Sequence, residues 1–140
     1  MTKKNMPRLK IGLSLFTDNN DIEIMNEISR FIGIDPTSSN IKGEPRKNAI
    51  NAYHNCSTWY YSTEYVYGFN LEDLVNRFLL LFADKVSIIN KVKERYQMEA
   101  LIDICCIFRD GETPSMLLNR DFICFVNDIG ATIDIDCYCK

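Results

Sequence analysis

At 140 residues, 46% hydrophobic and 25% charged, the chain has the size and composition of one globular domain spanning 1–140, which excludes wholesale disorder. Its formal charge of −3 disfavours nucleic acid and anionic membrane as partners, because both reward a basic surface, and favours a basic or neutral partner. The single histidine, His54, excludes most histidine-based catalysis and histidine-rich metal sites.

Met1 to Lys10 is positively charged, but the apolar stretch after it is short and broken by Ser14 and Asp18, so no export segment is expected. The longest apolar run, Phe78 to Ala83, is far short of the ~20 residues that span a bilayer. The six cysteines are therefore expected to be reduced thiols in a cytoplasmic protein.

Leu9, Ile11, Leu13 and Leu15 alternate with Lys10, Gly12 and Ser14, the period of a half-buried strand. Asn20 with Glu23 resembles a capping box and predicts a helix whose apolar face is Ile24, Ile28, Phe31 and Ile32, stopped by Gly33 and Pro36. Asp35 to Arg46 reads as a loop, with a short strand near Ile41. Ser57 to Phe69 is rich in Thr, Tyr and Trp and reads as one long strand. Asn70 is placed to cap a helix with Leu71, Leu74, Val75, Phe78 and Phe82 on one side. Asp84 then caps a further helical stretch through Val86, Ile89, Val92 and Tyr96, either continuous with the first or separate. Met98 to Phe108 is a strand and Asp110-Gly111 a turn. Asn119 caps a short helix ending at Gly130, and Ala131 to Cys139 is the last strand. This order predicts an α+β fold: a mainly antiparallel sheet with helices on one face, a ferredoxin-like βαβ-βαβ core and a C-terminal αβ unit.

The cysteines lack the spacing that turns two thiolates onto one metal, so neither a metal nor any other cofactor is expected. Period two instead puts Cys106 with Ile102 and Ile104, and Cys137 and Cys139 with Ile133 and Ile135, as small buried hydrophobes. His54-Asn55-Cys56 is too local to form a nucleophile–base pair, and no phosphate-cradling glycine loop is present. A non-enzymatic role is expected.

Asp134 and Asp136 share the parity opposite the strand's apolar side, and Asp103 has the same outward parity on the preceding strand. If the two strands are neighbours, three aspartates share one face, as a docking patch, a weak cation site or simply a solvated surface. In the aromatic strand Trp59, Tyr61, Tyr65 and Tyr67 share one parity and Tyr60 has the other. Core packing, or contact with a protein or small ligand, suits them better than base stacking in an acidic chain.

The run Phe31-Ile32-Gly33-Ile34-Asp35-Pro36-Thr37, then Lys42-Gly43-Glu44-Pro45-Arg46, then Ser57-Thr58-Trp59, closing on Gly130-Ala131-Thr132-Ile133-Asp134-Ile135-Asp136-Cys137-Tyr138, resembles the bacterial family known as domain of unknown function 4279. The resemblance implies a small bacterial cytosolic protein and carries no catalytic residues with it.

The leading expectation is a binding protein that neutralises a protein partner, such as a toxin-immunity protein or a phage-borne inhibitor of host defence. Trp59, Tyr61, Asp103, Asp134 and Asp136 are its candidate contacts, since aromatic anchors dominate interface energies and acidic patches speed capture of basic partners. The alternative is a small-ligand binder, in which Lys42 and Arg46 beside the Trp59 strand hold a phosphate or nucleotide. Neither nucleic acid nor membrane is an expected partner.

Overall fold

The computed structural model describes residues 3–140. Its centre is β1 (Arg8–Thr17), where Leu9, Ile11, Leu13 and Leu15 are all fully buried, as their alternation requires. β1 pairs antiparallel with β5 (Glu99–Phe108) on one side. On the other it pairs antiparallel with β3 (Ser57–Ser62) and the two-residue β4 (Val66–Tyr67). β2 (Ser38–Asn40) extends the sheet beyond β3, and β6 (Thr132–Cys139) extends it beyond β5 as a parallel pair. The six strands thus form one mixed, mostly antiparallel sheet in the order β2-β3-β1-β5-β6, with β4 beside β1. The short strand expected near Ile41 lies just before it.

The helices are α1 (Ile24–Ile32), α2 (Leu71–Phe82), α3 (Val86–Tyr96) and α4 (Arg120–Asp128). Two starts follow the caps read from the sequence. Asn70 accepts from the Glu72 amide at 3.0 Å, and Asn119 accepts from the Phe122 amide at 2.9 Å. Two do not. Before α1 the polar run forms successive side-chain turns instead of a capping box: Asn19 accepts from the Asp21 amide, and Asp21 from the Glu23 amide. Asp84 caps nothing, because Ala83–Lys85 is a tight 3-10 turn that carries α2 into α3 and so makes them two helices. Gly33 closes α1 in the left-handed conformation at φ 76°, its amide donating to Ser29 O at 2.8 Å.

The core lies between the helices and one face of the sheet. Phe78 of α2 is its hub, with ring centroids 4.7 Å from Phe82, 6.3 Å from Phe122 and 6.0 Å from Phe125. Trp59 packs into it with 0% of its surface exposed, and its indole N–H donates to Ser29 Oγ at 3.1 Å. The helix layer ends short of β6. Ile135, Cys137 and Cys139 have the core-facing parity expected for them, yet they are exposed, because the edge strand has no helix over it. Cys106, one strand further in, is buried as expected.

Candidate functional site

The other face of the sheet carries no helix among the described residues. What it displays depends on an interruption between β3 and β4. Thr63 bonds twice to Ile11: its amide donates to Ile11 O at 2.9 Å, and its hydroxyl oxygen accepts from Ile11 N at 3.1 Å. One residue therefore fills both roles of a ladder position, the following chain leaves the ladder, and the parity changes. The single long strand expected over Ser57 to Phe69 is thus two. Trp59 and Tyr61 face the core, while Tyr65 and Tyr67 join Tyr60 on the open face.

The register gives the open face in rows. Tyr67, Arg8, Ile107 and Tyr138 run across β4, β1, β5 and β6. Lys10, Cys105 and Asp136 form the next row, with Tyr65 beside them. Ser62, Gly12, Asp103 and Asp134 follow. The three aspartates therefore share one face, with Asp103 directly paired to Asp134. Asp134 and Asp136 are exposed and Asp103 is half-buried.

Asp103 is held by a contact that skips a strand. Tyr60 of β3 leans across β1 and its hydroxyl donates to Asp103 Oδ2 at 3.0 Å. The crossing exists because position 12 is glycine. A Cβ there would sit 2.5 Å from Tyr60 Oη and 2.7 Å from Asp103 Oδ1. Oδ1 is buried with no hydrogen-bond partner among the described residues. Burial holds the Asp103 carboxyl above its ordinary value, and neighbouring Asp134 adds to this, against the Tyr60 hydrogen bond and the charge of Lys10. Burial foremost, with the Asp103 carboxylate beside it, pushes the Tyr60 phenol up to about 12.

Three tyrosines on this face are open to a partner: Tyr65 is 38%, Tyr67 46% and Tyr138 53% exposed. Tyr65 is braced from two sides. Its ring centroid lies 5.4 Å from the Arg8 guanidinium carbon and 4.9 Å from Lys10 Nζ. Its hydroxyl is 3.4 Å from Cys105 Sγ, a contact that with burial pushes the phenol up to about 12.

The remaining candidates fall elsewhere. Trp59 is sealed in the core and offers no partner a surface, so it leaves the binding set. Its size and apolar ring serve packing, which sequence parity alone did not distinguish from display. Tyr61 is half-buried on the core side, edge-on to Phe82 at 5.2 Å. Lys42 and Arg46 lie exposed on the arm between β2 and β3. Lys42 Nζ is 3.6 Å from Asp18, and Arg46 Nε donates to Tyr53 O at 3.2 Å. The aromatic wall expected from Trp59 is not beside them. Tyr60, Tyr65, Tyr67, Tyr138, Arg8 and Lys10 were not singled out as contacts. The change of parity at Thr63 hid Tyr65 and Tyr67, and the registers of β1 against β5 and of β5 against β6 were needed to gather the others.

Among the described residues, no group of three or more His, Cys, Asp or Glu lies close enough to hold a metal ion, and no helix is long and apolar enough to cross a membrane. The fold and the open face together define a small α+β domain with one helix-covered and one displayed sheet surface. A family model described as domain of unknown function DUF4279 matches residues 8–140, and the chain belongs to that family. Neither the curated proteins nor the solved structures contain a match to the chain.

Proposed function

We propose that this domain is a non-enzymatic binding protein of the cytoplasm that docks a protein partner on the helix-free face of its sheet. The observation that carries the reading is the company kept by Tyr65, Tyr67 and Tyr138. They are partly exposed on one rigid surface, beside Arg8 and bordered by Asp134 and Asp136. Tyr and Arg are enriched among residues that dominate binding energy, and sheet-borne side chains lose little further freedom when a partner arrives. The aspartate border steers a basic partner to the face. Neutralising a partner by covering its working surface, as an immunity protein or an inhibitor of host defence does, is the use this surface fits.

Asp134→Asn with Asp136→Asn separates docking from mere solvation. Stability should change by no more than about 0.5 kcal/mol, because both side chains are exposed. Association with the partner should slow and lose part of its salt dependence. Unchanged association kinetics would remove the aspartates from the interface.

A further inference from the structure

A second surface lies on the opposite side of the molecule, between α2 and α4. Asn119, at the start of α4, donates to Asn76 Oδ1 of α2 at 2.9 Å, so α4 begins beside the early turns of α2 and the two run on in the same direction. The groove between them holds about 730 Å³. Its apolar lining comes from Leu79, Leu80, Ala83 and Val86 over the buried Phe125, and Leu80 is 86% exposed. A leucine so displayed beside a groove marks a contact surface better than a scattered surface apolar residue does.

The charges along this groove have one sign. Asp121 stands at its start and Asp84 and Asp128 at its far end, and no Lys or Arg lines it. The helix ends add nothing to this field: α2 leads straight into the 3-10 turn Ala83–Lys85, and Lys93 of α3 donates to Ile129 O at the end of α4, so the acidity of the groove comes from its aspartates.

We infer that the α2–α4 groove binds a basic amphipathic helix of a partner protein. The partner's apolar stripe lies on Leu79, Leu80 and Ala83, and its Lys or Arg side chains meet Asp84, Asp121 and Asp128. A helix fits because apolar groups at three- and four-residue spacing match a groove framed by two helices. The basic character follows from the uniform acidity of the rim. This surface does not depend on the sheet-face reading, since it shares no residue with it.

The test uses the full chain and a fluorescent model peptide of about 18 residues, roughly 27 Å as a helix, with leucine on one face and lysine on the other. A counterpart carrying glutamate in place of lysine is the control. The lysine peptide should bind, with amide chemical-shift changes centred on α2 and α4, and the glutamate peptide should not. Leu80→Glu, and separately Asp84→Lys with Asp128→Lys, should each weaken binding by about tenfold or more. All three positions are exposed, so the variants should keep the fold, and this is checked by the unchanged amide spectrum of the sheet. No binding, equal binding of both peptides, or shifts centred on the sheet face would overturn the inference. Self-association in sedimentation that Leu80→Glu abolishes would also overturn it, by assigning the groove to a second copy of the chain.

Discussion

Tyr60 and Asp103 lie on strands that are not neighbours, yet the phenol of one donates a hydrogen bond to the carboxylate of the other across Gly12 of the strand between. Three strands are thereby tied at one point on the displayed face. Gly12→Ala places a methyl group where the Tyr60 tip and Asp103 Oδ1 now sit. The tyrosine tip can swing outward, so the expected cost is about 1–2 kcal/mol, the strain plus the lost bond. Tyr60→Phe alone should cost roughly 1 kcal/mol. Because alanine at position 12 already breaks the contact, the double variant should be less destabilised than the sum of the two. Additive losses in urea unfolding would show that the glycine and the hydrogen bond act independently.

Asp103 gives the fold a distinctive pH dependence. Its pKa is raised in the folded state, chiefly by burial, so the folded chain holds that proton more tightly than the unfolded chain does. Its contribution to stability is present at acid pH and is lost as pH rises from the ordinary aspartate value of about 3.9 through the raised folded value. Asp103→Asn cannot lose the proton. The stability of the variant relative to the natural protein should therefore increase with pH over that window and level off above it. A difference that is flat with pH, or falls, would contradict the raised pKa.

Trp59 is the only tryptophan, so its fluorescence reports its own site. Full burial with a hydrogen-bonded indole predicts blue-shifted native emission that moves red on unfolding. Trp59→Ala should cost about 3–5 kcal/mol. Trp59→Phe should cost less and leave partner binding intact. Binding lost in a stably folded Trp59→Phe variant would return this residue to the interface.

The thiols should divide by exposure. Cys124, Cys137 and Cys139 are exposed, whereas Cys106 is buried and its thiol is pushed up to about 11, mainly by that burial. Under native conditions a maleimide should label the first three quickly and Cys106 only on unfolding. Mass mapping that finds Cys106 among the fast sites would contradict the packing of β5.

Much of the fold was legible because its signals are local. The alternation of Leu9 to Leu15 and the caps at Asn70 and Asn119 each depend on a few consecutive residues. The displayed face was legible only in part. Asp134 and Asp136 follow from their own strand, but joining them to Asp103 needed the β5–β6 register. Tyr65 and Tyr67 were placed with Trp59 because Ser57 to Tyr67 contains no Gly or Pro to break a strand. The interruption arises from Thr63 meeting Ile11, a contact 52 positions away. The exposure of Cys137 and Cys139 was hidden for a related reason. Period two says which residues share a face, but not whether a helix reaches far enough to cover it.

The most direct test of the docking face compares three immobilised baits in the same extract of the native host at low salt. One is the natural protein, one carries Tyr67→Glu with Asp134→Lys and Asp136→Lys on the sheet face, and one carries Leu80→Glu on the helix side. The account predicts a protein retained by the natural chain and by Leu80→Glu but lost from the sheet-face variant. Equal retention by all three baits, or loss from the Leu80→Glu bait alone, would contradict it.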